Sequence, residues 1–197
     1  MHGLIFDWDN TLVNTIPVIK QSVSMVIDKF EYNGDRDEIL ASAGVKLSLR
    51  EGFPTVFGDK WMDAGKYYYE CYEQNSHLID KMPHFDELIE YISTLDVPIA
   101  INSNKKQSYL EAEVKIFGME KLTNIFVGSG YCDNDKPSPD GVFTICKEWG
   151  IKPSKKVYYI GDSDVDEQTA NNSGLSFFHV NENDNNLKDL VKYLKNI

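Results

Sequence analysis

The chain has 197 residues, 42% of them hydrophobic, enough for one packed core with a modest insert and too much for a disordered chain. With 31 acidic residues against 20 basic ones, the formal net charge is −11, which argues against nonspecific nucleic-acid binding, where Lys and Arg must neutralise phosphates. No stretch approaches the length needed to cross a bilayer, and no basic segment precedes the apolar opening run Leu4-Ile5-Phe6, so a cytoplasmic protein without a membrane partner is expected.

A small anionic substrate stays open despite the acidic balance, because a bound cation and one or two lysines outweigh the global field locally. The three cysteines, Cys71, Cys132 and Cys146, are scattered without CxxC spacing and read as free thiols of a reducing compartment. The four histidines show no ligand spacing.

In chain order, residues 3–8 read as a short buried strand. Helical periodicity follows over 16–30, 35–43 and 59–74, the last carrying the aromatic block Tyr67-Tyr68-Tyr69 and Tyr72, which reads as helix packing. No convincing buried strand interrupts this region, so residues 14–81 are expected to form a small helical cap inserted into a core made of 1–13 and 82–197. The core then alternates. A helix over 86–95 has its apolar stripe at Leu88, Ile89, Ile92 and Leu95, and a strand spans 97–102. A helix over 107–117 ends near Gly118, and a strand spans 124–127. A helix over 141–149 ends near Gly150, and strands span 157–160 and 176–180. The Asn-rich run 181–186 reads as a loop into a last helix over 188–194. Alternating strands and helices make an α/β fold with a doubly wound parallel sheet.

Four groups of polar residues fall at the C-terminal ends of expected strands, where open α/β sheets bind ligands. In Asp7-Trp8-Asp9-Asn10-Thr11-Leu12, one carboxylate leaves the strand and a second follows two residues later, so one can attack while the other shuttles a proton. An ordinary polar strand end with turn-forming Asp and Asn would look the same. Ser103 and Asn104 follow the next strand; a hydroxyl there suits a phosphate oxygen, with N–H groups of a following helix nearby, or serves merely as a helix cap. Lys136, between Asp135 and Pro137-Ser138-Pro139, sits on a stiff backbone and could neutralise a transferring phosphoryl group, although lysines are usually solvated. Gly161-Asp162-Ser163-Asp164-Val165-Asp166 packs three acids into five positions, a hard-oxygen site suited to Mg²⁺ or an acidic helix start.

Taken together, acid pair, hydroxyl, lysine and acid cluster resemble the four motifs of the haloacid dehalogenase-like hydrolase superfamily, over nearly the whole chain. Asp7-Trp8-Asp9-Asn10-Thr11 is similar to DxDxT, Ser103-Asn104 to the second motif, Lys136-Pro137-Ser138-Pro139 to KPxP, and Gly161-Asp162 with Asp166 to GDxxxD. The insert resembles the C1-type cap of the phosphoglycolate phosphatase-like branch. The resemblance implies a Mg²⁺-dependent phosphatase acting on a small phosphorylated metabolite through an aspartyl-phosphate. Asp7 would attack, and Asp9 would protonate the leaving oxygen and then activate water. Ser103 with the Asn104 amide would hold phosphoryl oxygens, and Lys136 would neutralise charge. Mg²⁺ would bind Asp7, the Asp9 main-chain carbonyl and Asp162, with Asp166 in support. Residues 44–53 resemble a substrate-specificity loop, from which Lys46 and Arg50 could reach a second anionic group. Asn10 departs from the family's usual Gly, and Asp164 has no role in the pattern.

Alternatives on related scaffolds are a phosphomutase of the beta-phosphoglucomutase type and a haloacid dehalogenase, the latter disfavoured because it needs neither Asp9 nor the acid cluster. A phospho-accepting receiver domain would be shorter and would carry its Asp on a later strand. A silent binding module is open to any fold.

Overall fold

The computed structural model describes residues 1–45, 47–180 and 187–197, so Lys46 and the Asn-rich run 181–186 lie outside the described residues. The chain divides into two compact units, Met1–Val13 with Lys81–Ile197, and Asn14–Asp80.

The larger unit is built on a five-stranded parallel sheet in the order β5-β4-β1-β6-β7. Its strands are β1 (Gly3–Phe6), β4 (Ile99–Lys106), β5 (Phe126–Ser129), β6 (Val157–Gly161) and β7 (Ser176–His179). β1 is central, pairing Leu4 with Ile99 on one side and Tyr158 on the other. Helices α5 (Phe85–Ile92), α6 (Gln107–Ile116), α7 (Asp140–Glu148), α8 (Asp164–Ser173) and α9 (Leu187–Leu194) complete this unit. All four β1 residues are buried, as expected of a strand covered on both faces. On one face Ile5 and Ala100 pack with Val142, Ile145 and Cys146 of α7 and Ala170 of α8.

From β1 the chain crosses to β4 and on to β5, then returns past β1 to β6 and on to β7. Connections therefore diverge between β1 and β6, and the crevice at their carboxyl ends is the topological switch point of the sheet.

The smaller unit contains α1 (Ile16–Phe30), α2 (Arg36–Leu40), α3 (Leu49–Phe57) and α4 (Trp61–Gln74). A Pro in the first turn of α1, where its missing N–H costs nothing, starts a stripe of buried residues: Val18, Ile19, Val23, Val26 and Ile27. Ring contacts join Phe53 to Phe57 and Tyr68, with centroids 5.0 and 5.7 Å apart. The two-residue strands β2 (Val13–Asn14) and β3 (Asp80–Lys81) pair where the chain passes from one unit to the other and back. Among the described residues no helix is long and apolar enough to cross a membrane.

Two local expectations are corrected. Residues 49–53, expected in a loop, belong to helix α3. Ser48 precedes it with extended backbone, accepts at its carbonyl from Glu51 N, and donates through Oγ to Glu51 Oε2 at 2.9 Å, so it starts the helix. Residues 103–106 continue β4 instead of preceding a helix directly; α6 begins at Gln107.

Candidate active site

Asp7 is the first residue beyond β1, buried, with its N–H donating to Ile160 O of β6 at 2.8 Å. The chain then reverses: Leu12 N and Val13 N both donate to Trp8 O, and Asn10 N to Val13 O. Asn10 has φ 59°, a left-handed conformation that Asn tolerates better than most residues, which is how the turn survives without Gly. The reversal brings Thr11 across to β6, where its Oγ1 donates to Asp162 Oδ1 at 3.0 Å. Thr11 thus orients one of the acids of the fourth group.

Lys136 is buried in a loop stapled at several points. Asp135 accepts from Ser129 Oγ at 2.7 Å and from Gly130 N at 3.2 Å, and Asn172 Nδ2 reaches Pro137 O at 2.9 Å. Asn104 clasps the Lys136 backbone from both sides: its Nδ2 donates to Lys136 O at 3.0 Å, and its Oδ1 accepts from Lys136 N at 2.9 Å. The second and third groups are thereby one piece, and the Asn104 side chain serves the lysine. From this fixed backbone Lys136 Nζ donates to Asp7 Oδ1 and to Asp166 Oδ1, both at 2.6 Å. Burial alone would lower the Lys136 pKa, but Asp166 and Asp7 outweigh it and hold the ammonium well above its ordinary range.

The fourth group is a helix start and an acid cluster at once. Ser163 caps α8, and Asp166 closes a reciprocal capping box, its Oδ2 accepting from Ser163 N at 3.1 Å and Ser163 Oγ at 2.6 Å. Both Asp166 oxygens are therefore engaged. Gly161 makes this possible, since a Cβ there would lie 2.4 Å from the Asp166 side chain. Asp164 is exposed on the first turn of α8.

Ligand oxygens of Asp7, Asp162 and Asp166 lie within 4.8 Å of one another. Burial first, then repulsion from Asp166, raises Asp7 well above the usual carboxylate range despite Lys136. The same two causes push Asp162 up to about 7. Three carboxylates against one ammonium leave buried negative charge in excess, and a hard divalent cation coordinated by oxygen would relieve it. The donor set fits Mg²⁺.

Ser103 is buried where the β4–β5 register breaks between Asn102 and Lys106, and its Oγ accepts from Lys105 N at 3.1 Å. Such irregularities re-aim side chains at sheet ends. Asp9 is paired: Lys105 Nζ lies 3.0 Å from its Oδ1 and 3.1 Å from Glu113 Oε1. Sequence reasoning assigned nothing to Lys105, Glu113 or Trp8; the adjacency of Lys105 to Ser103-Asn104 was the one available signal. Arg50 is exposed on the first turn of α3 in the smaller unit.

The description "Haloacid dehalogenase-like hydrolase" belongs to the family whose sequence model matches residues 4–180. Among curated proteins, the phosphoglycolate phosphatase of Escherichia coli K12 is 23% identical over 204 residues, covering 88% of this chain and 79% of that one. Among solved structures, a HAD-superfamily hydrolase from Ehrlichia chaffeensis is 26% identical with a TM-score of 0.69, covering 100% and 98% of the two chains. A candidate beta-phosphoglucomutase of Thermotoga maritima, 18% identical, covers 100% of both chains with a TM-score of 0.70 and shares the fold. With acid pair, lysine and acid cluster joined at the switch point of such a sheet, and with the family pattern running through nearly the whole length, the chain belongs to the haloacid dehalogenase-like hydrolases.

Proposed function

We propose that the chain is a Mg²⁺-dependent phosphatase that hydrolyses a small phosphorylated metabolite through an aspartyl-phosphate on Asp7. The observation that carries this reading is the buried Lys136 ammonium bonded to both Asp7 and Asp166 at the switch point, beside an Asp162 oriented by Thr11. The likeness to phosphoglycolate phosphatases supports the substrate class.

An Asp7 oxygen attacks phosphorus while the bond to the leaving oxygen breaks, and Asp9 gives that oxygen a proton. Water then attacks phosphorus, Asp9 takes its proton, and the phosphorus–Asp7 bond breaks to release phosphate. Ser103 Oγ, oriented by Lys105 N, and the Asn104 backbone amide hold phosphoryl oxygens, while Lys136 balances their charge. Mg²⁺ bound to Asp7, Asp162 and the Asp9 carbonyl would supply the positive charge that lets two anions meet. With both of its oxygens engaged by Lys136 and Ser163, Asp166 acts at one remove, through water or by steadying Lys136. Lys46 and Arg50 remain the proposed readers of a second anionic group on the substrate.

The test is a panel of phosphorylated metabolites, phosphoglycolate and hexose phosphates included, incubated with Mg²⁺ in ¹⁸O-water. Stoichiometric phosphate carrying one solvent oxygen is expected. Conversion of a sugar phosphate to its positional isomer with little labelled phosphate would make the chain a mutase instead.

A further inference from the structure

Asp9 does not stand alone in its unit. Lys105 Nζ approaches Asp9 Oδ1 at 3.0 Å and Glu113 Oε1 at 3.1 Å, and the indole N–H of Trp8 donates to Glu113 Oε2 at 2.7 Å. The side chains are nearly sealed from water, with relative exposures of 13% for Asp9, 7% for Lys105 and 5% for Glu113. Trp8 is fully buried and held edge-on against Phe117, ring centroids 6.0 Å apart. The chain of contacts runs from the residue between the two motif acids, through α6, back to the second acid.

Stability alone is a poor explanation for this arrangement. Taking three charges out of water is expensive, and apolar residues of similar volume would commonly serve the fold as well or better. What the network does supply is position. The ammonium, 3.0 Å from Asp9 Oδ1, holds the carboxylate electrostatically on one side. Glu113 offsets the positive charge, so Asp9 is oriented without facing an uncompensated cation. Trp8 in turn fixes Glu113. A proton-transfer group must be held within hydrogen-bond reach of its partner, and small displacements are costly.

We propose that Lys105 is the positioning residue for Asp9, anchored by Glu113 and Trp8. The proposal rests on Asp9 being the acid–base group, as inferred above, and the test separates the two. Lys105→Met keeps the stem and removes the charge. Its effect is read as kcat/KM across phosphate monoesters of graded leaving-group basicity, from p-nitrophenyl phosphate to an alkyl phosphate. A good leaving group needs little protonation, so a misplaced acid penalises the alkyl ester most; general acid–base catalysis as a whole contributes about 10²–10⁴-fold. The expected loss for Lys105→Met is at least about tenfold greater on the alkyl ester than on p-nitrophenyl phosphate, part of that range. Asp9→Asn should steepen the series further, and adding Lys105→Met to it should cost little more, since the lysine acts through Asp9.

Should Lys105→Met fail to fold because two buried acids lose their shared cation, Lys105→Met with Glu113→Gln removes one charge of each sign and is read in the same way. Trp8→Phe, which removes the indole N–H together with part of the buried ring, should give the same steepening at smaller size. Equal losses across the series, or full additivity with Asp9→Asn, would overturn the positioning role. A flat series for Asp9→Asn itself would instead remove Asp9 as acid, and the proposal with it.

Discussion

In the helical unit, the buried hydroxyls of Ser22 and Ser42 donate to carbonyls four and three residues back, Val18 O and Ile39 O. In the unit built on the sheet, the buried polar side chains of the candidate site reach much further: Thr11 bonds Asp162 across 151 positions, and Lys136 bonds Asp7 across 129. The first kind satisfies a backbone locally and leaves packing to aromatic rings. The second kind exists only once the sheet has formed and brings charges of both signs together away from water. Local satisfaction is what a scaffold needs; long-range interlocking of charges is what a reaction centre needs.

The sharpest way to break the contrast is at Asp7. Asp7→Asn is expected to lower turnover at least about a thousandfold, about 4 kcal/mol of barrier. It should do so without lowering the melting temperature of metal-free protein, because it removes one carboxylate from an over-negative cluster. Near-normal turnover would take Asp7 out of the mechanism, and a large drop in melting temperature would mean its charge stabilises the fold.

In the helical unit the expectation reverses, with packing as the sensitive quantity. Phe53 is fully buried against Phe57 and Tyr68. Phe53→Ala should cost about 3–5 kcal/mol, read by denaturant unfolding followed by helical circular dichroism. A loss under about 1 kcal/mol would mean the site collapses readily and the rings are loosely held.

The smallest expected effect concerns pH. Asp162 is raised from 3.8 to about 7 by burial and by Asp166. A raised carboxyl pKa means the folded protein binds a proton that the unfolded chain has lost. This group's contribution to metal-free stability is thus complete below about 3.8 and is lost as pH rises through about 7. Relative to Asp162→Asn, wild type should lose a few degrees of melting temperature as a chelated sample is taken to alkaline pH. Mg²⁺ should reduce that loss. Parallel pH profiles for the two proteins would show that Asp162 holds no extra proton.

The sheet was legible because its strands are covered on both faces and so read as short, nearly unbroken apolar runs; β1, β6 and β7 fall within a residue or two of where the pattern puts them. Residues 49–53 were expected in a loop because the stretch 44–53 resembles one by sequence, and isolated Gly and Pro do nothing to contradict that. Here Pro54 sits inside a nine-residue helix, and Gly52 is needed for close approach, its Cβ position being 2.5 Å from Ser42 Cβ. The acids and the lysine stood out by spacing, whereas their connections did not. Nothing in the sequence says that Asn104 spends its side chain on the Lys136 backbone, or that Glu113, one more acid on an amphipathic helix, turns inward to Lys105 and Trp8. Such partnerships depend on which helix face meets which strand end.

Gly161 is not in a left-handed conformation, so its backbone makes no demand for glycine. What excludes every other residue is the Asp166 side chain, already lying where a methyl group would go. The clearance of a single carbon atom therefore lets Asp166, at the start of α8, lie against the end of β6 where it meets the Lys136 ammonium. In a redesign of this chain, position 161 is a gauge block, and any change there would be felt as lost registration between strand and helix before it was felt as lost chemistry.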